Sequence, residues 1–325
     1  EIALKSIGIK INDEVIVTSK SYFISAACVL NIGAIPKFVD VDYETQNISY
    51  EQIKKNISKK TKAIICVHLG GLPCDIKKII KLGKKNKISI IEDCAQAHGA
   101  KIGNRMVGSF GDIACWSFCN DKIISSGEGG MIVTNNYKIW KKAWSLREGG
   151  RSLDAIKNQK KIVGFKYIHD YLGTNSRMTE IQATICDIQL KDLNKNLRIR
   201  NRNANLLREF LENYNFIDIP KFKDNITNSY YRFYVKFNNK LLQNQKLNRN
   251  ILLKLLLEKK IPCEEGSCSE IYLEKPFIGL KVKRKSNAKK LSSNSLAFLV
   301  HHKLNKKEIY KIIKDIKIVL DNIDK

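Results

Sequence analysis

An alternation constrains this chain more than any other feature. Through its first half, short apolar runs rich in Ile and Val recur between longer stretches of helix length. The runs are "DEVIVTS" (13–19), "PKFVDVD" (36–42), "AIICVHL" (63–69), "ISIIED" (88–93), "DIACWSF" (112–118) and "GGMIVTN" (129–135). Short β-branched runs of this kind, several closed by a polar or acidic residue, read as buried strands. Segments 21–33, 50–58 and 74–86 have the length of helices. The pattern predicts an α/β domain whose mostly parallel sheet is flanked by helices. The last two runs flank a glycine cluster and are candidates for a local antiparallel pair.

From about residue 176 the period changes. "RMTEIQATICDIQLKDLNKNLRIRNRNANLLREFLENY" carries apolar residues near a 3.6-residue spacing and reads as helix. A smaller α+β module follows, with a strand "YYRFYVKF" (230–237), an amphipathic "NILLKLLLEKK" (250–260) and a last helix from about Lys306. We divide the chain into a large α/β domain, 1–190, and a small C-terminal α+β domain, 191–325. Repeats and low-complexity linkers are absent, so the two should pack closely. The opening "EIALKSIGI" reads as the end of a helix, and the sheet is expected to lack its N-terminal elements in this chain.

Lys and Arg number 58 against 32 Asp and Glu, a net charge of +26. Such a charge suits a nucleic-acid or anionic-surface binder. The lysines, however, are interleaved with Ile and Asn along the chain, as in "KKIIKLGKKNK" (77–87), and do not gather into a basic arm with aromatic platforms. A general bias toward Lys, Ile and Asn explains that distribution at least as well, and phosphate-bearing small substrates are compatible with it. The nine cysteines are odd in number and form no CxxC pair, which argues against zinc or a redox dithiol and for reduced, packed thiols. No apolar run approaches the ~18 residues of a membrane span, and no signal-peptide pattern opens the chain. A cytoplasmic protein without a metal is expected.

Ligands of parallel α/β sheets sit beyond the carboxyl ends of the strands. The polar residues there are Ser19, Ser21 and Tyr22, then His68, then Asp93 and Gln96, then Ser117, with Lys122 a few residues further on. Asp93 is either a helix N-cap or the partner of a buried cation. Pyridoxal phosphate needs a carboxylate beside its protonated ring nitrogen and a lysine for its Schiff base. Asp93 and Lys122 are separated by one strand and its connections, so both can reach one ring. Taken alone, Tyr22 reads as a packed core aromatic and Ser117 is undecided. His68 and His98 read as hydrogen-bonded packing residues, and Arg147 and Arg151 as a solvated helix end.

Three motifs, "EDCAQAHGA", "GSFGDIACWSF…K……GEGG" and "LGTNSRMTEIQA", resemble the DegT-type (DegT/DnrJ) sugar-nucleotide aminotransferases, fold-type-I enzymes dependent on pyridoxal 5'-phosphate. Segments 12–19 and 34–42 also match, and the likeness runs in order along nearly the whole chain. The resemblance implies that Lys122 holds the coenzyme covalently, that Asp93 pairs with the pyridine nitrogen and that Gln96 pairs with the ring oxygen. It places Tyr22 over the ring and Ser117 on the phosphate, joined by Asn175 from the partner subunit of a homodimer. A serine-glycine-threonine turn that cradles the phosphate in the family has no counterpart in residues 1–12. Lysine at 122, where sugar-dehydrating relatives carry histidine, implies amino transfer. The implied reaction moves an amino group from glutamate or glutamine to a keto-sugar nucleotide, for amino-sugar and surface polysaccharide synthesis. A cyclitol or other ketone is the alternative substrate, and a basic binding protein without catalysis is the alternative of another class.

Overall fold

The apolar runs do become neighbouring strands. A computed structural model describes residues 1–158, 164, 168–238 and 248–321. β1 (Glu14–Thr18), β2 (Ile35–Val39), β3 (Thr61–Val67) and β4 (Ser89–Asp93) are followed by the two-residue β5 (Lys101–Ile102) and β6 (Arg105–Met106), then by β7 (Ile113–Ser117) and β8 (Gly130–Val133). One six-stranded sheet has the order β2-β1-β3-β4-β7-β8. Its pairs are parallel except the last, where Cys115 lies opposite Ile132 in the antiparallel pair expected around the glycine cluster.

Helices cover both faces, which explains why the strands read as continuous apolar runs. Val15, Val17, Ile65 and Ile91 pack with Leu4 of α1 (Ile2–Ser6) and Val29 of α2 (Ile24–Leu30). On the opposite face Ile16, Ile64 and Ile90 meet Ile53 of α3 (Tyr50–Asn56) and Ile76 and Ile79 of α4 (Ile76–Asn86). The lysines of α4 stay exposed on its outer side.

The helical stretch after residue 176 is two helices. After α5 (Tyr137–Arg147) and α6 (Leu153–Lys157), α7 (Glu180–Lys191) ends at Asp192 and α8 (Leu193–Leu211) begins. Leu193 and Leu197 of α8 pack with Phe118, Ile123 and Ile124, whereas Leu207 and Leu211 enter the core of a second sheet. In that antiparallel sheet β9 (Ile217–Asp218) and β13 (Ser295–Phe298) flank β11 (Phe233–Phe237), and β12 (Cys263–Glu264) pairs with β13, while the short β10 (Ile226–Thr227) pairs with β5 instead. The helices Arg249–Glu258 and Lys306–Asp321 pack on its core.

The strand expected over 230–237 starts only at Phe233. Tyr230 adopts φ +48°, a left-handed conformation that breaks the extended chain and leaves Tyr231 and Arg232 on the turn before the strand. The close packing expected between the two halves is present. Asp40 after β2 accepts the amides of Asn287 and Ala288 at 2.8 and 2.9 Å, and buried Lys236 of β11 pairs with Glu44 at 2.9 Å. All nine cysteines are free thiols. Among the described residues no helix is long and apolar enough to cross a membrane.

Candidate active site

A cavity of about 790 Å³ opens beyond the carboxyl ends of the central strands. Val67, Asp93 and Cys115 lie side by side in register. Because side chains alternate along a strand, Ile65, Ile91 and Ser117 share their face and complete the floor. Of the residues singled out from sequence, Tyr22, Asp93, Gln96, Ser117 and Lys122 all line this one cavity. Asn175 does not. It is exposed on the segment that bridges to Glu148, outside its own chain's cavity lining.

Asp93 caps no helix, since residues 94–100 form turns. Its Oδ2 accepts from Ser25 Oγ at 2.8 Å and its Oδ1 from the Ala95 amide at 3.2 Å. Ser25 in turn shares a 2.9 Å hydrogen bond with Ser21. A carboxylate offers roughly four lone-pair positions, so Asp93 keeps acceptor capacity on the cavity. Gln96 is nearly buried. Its Oε1 accepts the Gly70 amide at 2.7 Å, and its Nε2 donates to Ser267 Oγ at 3.4 Å. Ser117 Oγ accepts the Cys119 amide at 3.3 Å. Tyr22 is 67% exposed, which excludes the packed-core reading.

Lys122 stands on the loop between β7 and β8, with its side chain largely buried. Its Nζ lies 2.9 Å from Asp121 Oδ1, donates to Tyr231 Oη at 3.2 Å and sits 4.7 Å from the centre of that ring. The third sequence motif holds this loop. Thr179 and Gln182 form a capping box at the start of α7, and Gln182 Nε2 also donates to the Glu128 carbonyl at 2.9 Å. Gln189 Oε1 accepts the Ser125 amide at 3.1 Å. Met178 packs so tightly on the glycine cluster that a Cβ on Gly129, at φ +149°, would come within 2.9 Å of its sulfur.

His68 and His98 do not line the cavity. His68 Nδ1 accepts the Cys74 amide at 3.1 Å, so its proton is on Nε2, 3.1 Å from Glu92 Oε2. His68, Glu92 and Cys94 form a buried cluster, but Glu92 is already occupied by His68 and three backbone amides, so these residues do not suit a metal. His98 packs on Trp116 and Phe118 at centroid distances of 5.0 and 5.8 Å. It is a packing residue as expected, though neither ring nitrogen has a well-aligned hydrogen-bond partner among the described residues. Burial, then the charges of Lys122 and Arg200, push its pKa down to about 4. Burial pushes the cavity thiols Cys28 and Cys115 up to about 11 and about 12, the Asp93 charge adding to it, so neither is a thiolate nucleophile. Arg147 and Arg177 pair with Glu148, the latter at 3.0 Å.

Ser25, Asp121 and Tyr231 touch the candidate residues and were not singled out from sequence. Ser25 had a signal, because Ser21 and Ser25 lie four apart at the start of a helix that follows a strand end. Asp121 had only its position beside Lys122.

A mostly parallel sheet with a smaller antiparallel module, and an amine and a carboxylate facing one cavity at its strand ends, define a fold-type-I transferase. The chain belongs to the DegT/DnrJ/EryC1/StrS aminotransferase family, whose profile matches residues 1–317. GDP-perosamine synthase of Escherichia coli O157:H7 is 42% identical over 190 residues, 58% of this chain and 50% of that protein. L-glutamine:2-deoxy-scyllo-inosose aminotransferase of Streptomyces lividus is 32% identical over 235 residues, 72% of this chain and 55% of the relative. The matched portion thus spans about half the length of these curated relatives. The crystal structure of an aminotransferase from Psychrobacter cryohalolentis superposes with a TM-score of 0.95 at 39% identity, covering 100% of this chain and 85% of that one.

Proposed function

We propose that this protein is a pyridoxal 5'-phosphate-dependent aminotransferase that moves an amino group from glutamate or glutamine to a keto-sugar nucleotide, in amino-sugar biosynthesis. The observation that carries the reading is the Lys122 amine and the Asp93 carboxylate lining one cavity of about 790 Å³. Asp93 suits a cationic heterocycle because its carboxylate is aimed by Ser25 and the Ala95 amide yet retains free lone pairs. Bound there, the coenzyme would supply an electron sink.

Each side chain then has a definite task. Asp93 would accept a charge-assisted hydrogen bond from the ring nitrogen, worth about 1.5–3 kcal/mol. Gln96 would face the ring oxygen, Tyr22 would cover the ring at the cavity mouth, and Ser117 would hold the phosphate. Lys122 would hold the coenzyme covalently and, once freed by substrate, move a proton to or from the substrate carbon. Asn175 would serve the cavity of a second copy. Support for a homodimer comes from α7, whose Ile181, Ile185 and Ile188 are exposed at helical spacing, Ile181 by 75%, and from Leu172, exposed by 97%. We keep the division at residue 190 between the coenzyme-binding and C-terminal domains, and place the enzyme in the cytoplasm.

The GDP-perosamine synthase relative supports a keto-sugar nucleotide as acceptor. The inosose aminotransferase supports a cyclitol ketone as the second reading. Screening both acceptor classes for glutamate- or glutamine-dependent amination separates them. The protein mixed with pyridoxal 5'-phosphate should develop an absorption band that borohydride fixes onto Lys122. Lys122→Ala should lose the band and at least about 10³-fold in turnover. A wild-type protein without the band, or a Lys122→Ala protein that keeps it, overturns the proposal.

A further inference from the structure

The amine at the centre of that reading is held by a partner the reaction scheme does not mention. Asp121, the residue before Lys122, places Oδ1 2.9 Å from Nζ, while the Tyr231 hydroxyl donates to its Oδ2 and itself accepts from Nζ at 3.2 Å. Lysine, carboxylate and phenol close a triangle on the cavity wall. Arg232 braces it, stacked 4.2 Å over the Tyr231 ring, 3.6 Å from Asp121 and paired with Glu264.

We propose that Asp121 is a positioning residue for Lys122: in the coenzyme-free protein it holds the amine as a paired ammonium against Tyr231, and a ligand in the cavity must compete for it. The proposal rests on the reading of Lys122 given above and adds a control on when that amine becomes reactive. A carbonyl is attacked by a free amine, so the paired state is the unreactive one. Release is loss of the Lys122 proton to water, which the half-exposed Asp121 side of the pair can reach, and it leaves a free amine beside the Asp121 carboxylate.

The other groups around Nζ do not substitute for Asp121. On the 230–234 segment, burial first and then the Asp121 contact push the Tyr231 pKa up, so the phenol stays neutral. Arg232 on the same segment is a cation, and the Glu264 carboxylate on β12 is taken by it. His98, after β4, is a buried neutral ring. On the cavity floor, Asp93 keeps free lone pairs, but the Lys122 ammonium is paired with Asp121 and Tyr231 and not with it. Burial pushes the Asp121 pKa up, but hydrogen bonds from Tyr231 and Lys122 and the charges of Lys122 and Arg232 outweigh it, so the group is held as a carboxylate.

The test needs no coenzyme. Coenzyme-free protein is treated with 2,4,6-trinitrobenzenesulfonate, which arylates free amines. Modification of Lys122 is followed by peptide mass spectrometry across pH, with exposed Lys85 in the same digest as internal reference. Asp121→Asn should label Lys122 about three- to tenfold faster near pH 7.5. Asp121→Glu should stay near wild type, and Tyr231→Phe should accelerate labelling less than Asp121→Asn does. If the Asn variant does not fold, Asp121→Ser carries the same test. Labelling of Lys122 at the wild-type rate, once the carboxylate is gone, overturns the proposal. Failure to form a coenzyme band would instead sink the proposed function and leave the labelling result standing.

Discussion

Glu92 and Asp93 are neighbours on β4, and their opposite surroundings separate the scaffold face of the sheet from its chemical face. Glu92 points away from the cavity and is fully buried. It accepts from His68 Nε2 at 3.1 Å and from the amides of Gly108, Phe110 and Gly111 at 2.8, 2.7 and 2.6 Å. Burial raises its pKa, but the hydrogen bonds from His68 and the amides outweigh that, and the net shift is downward. Asp93, one residue on, faces the cavity with two hydrogen bonds and lone pairs to spare. A carboxylate whose acceptors are all engaged folds the 107–111 turn, whereas one left partly free at a strand end can take a ligand. Two buried lysines show the same contrast. Lys20, which does not line the cavity, gives its protons to the Ser267 carbonyl and Ser269 Oγ, and burial lowers its pKa to about 7. Lys122 lines the cavity itself.

The largest effect should come from the cavity face. Asp93→Asn should lower turnover roughly 10- to 150-fold, the equivalent of about 1.5–3 kcal/mol, with little change in melting temperature. Initial rates and a thermal melt measure the two, and full turnover in this variant would erase the contrast. Glu92→Gln should do the reverse, losing about 2 kcal/mol of stability in urea while each folded molecule keeps near-normal activity. Because the folded-state pKa of Glu92 is depressed, its contribution is complete above the unfolded value of 4.5 and is lost as pH falls through the folded pKa. Denaturation of wild type and Glu92→Gln should therefore converge in acid; a constant difference across pH would count against the assignment.

The most gradual effect, small at any one pH step, concerns His98. Its folded pKa of about 4 lies below the unfolded 6.5, so the unfolded chain binds the extra proton between those values. Stability should then decline as pH falls from 6.5 toward 4, by about 1 kcal/mol per pH unit. His98→Phe should flatten that slope, and equal slopes in the two proteins would show that a charged imidazole is tolerated there.

Much of the fold was legible because its causes are local. Ile- and Val-rich runs closed by polar residues placed the central strands within three residues of their observed ends, and the glycine cluster marked the antiparallel turn. The candidate site was legible to the extent that strand ends converge, which brought Asp93, Gln96 and Ser117 together with Tyr22 and Lys122. Other features had no local cause to read. The left-handed Tyr230 shortens an apparently uniform strand, and the helical stretch breaks at Asp192 although its apolar period continues. Tyr231 meets Lys122 across 109 residues of sequence, a separation that no spacing argument reaches.

By itself the sequence determined which segments become strands and helices, and that an amine and a carboxylate emerge at neighbouring strand ends, because periodicity and side-chain shape act over a few residues. Tertiary structure alone decided which of those polar groups are satisfied and which are left for a ligand. Whether Glu92 is sealed by the 108–111 amides, Asp93 aimed by Ser25 or Lys122 held by Asp121 and Tyr231 depends on partners that only packing delivers. Free lone pairs and paired protons are properties of contacts, and most of these contacts are long-range.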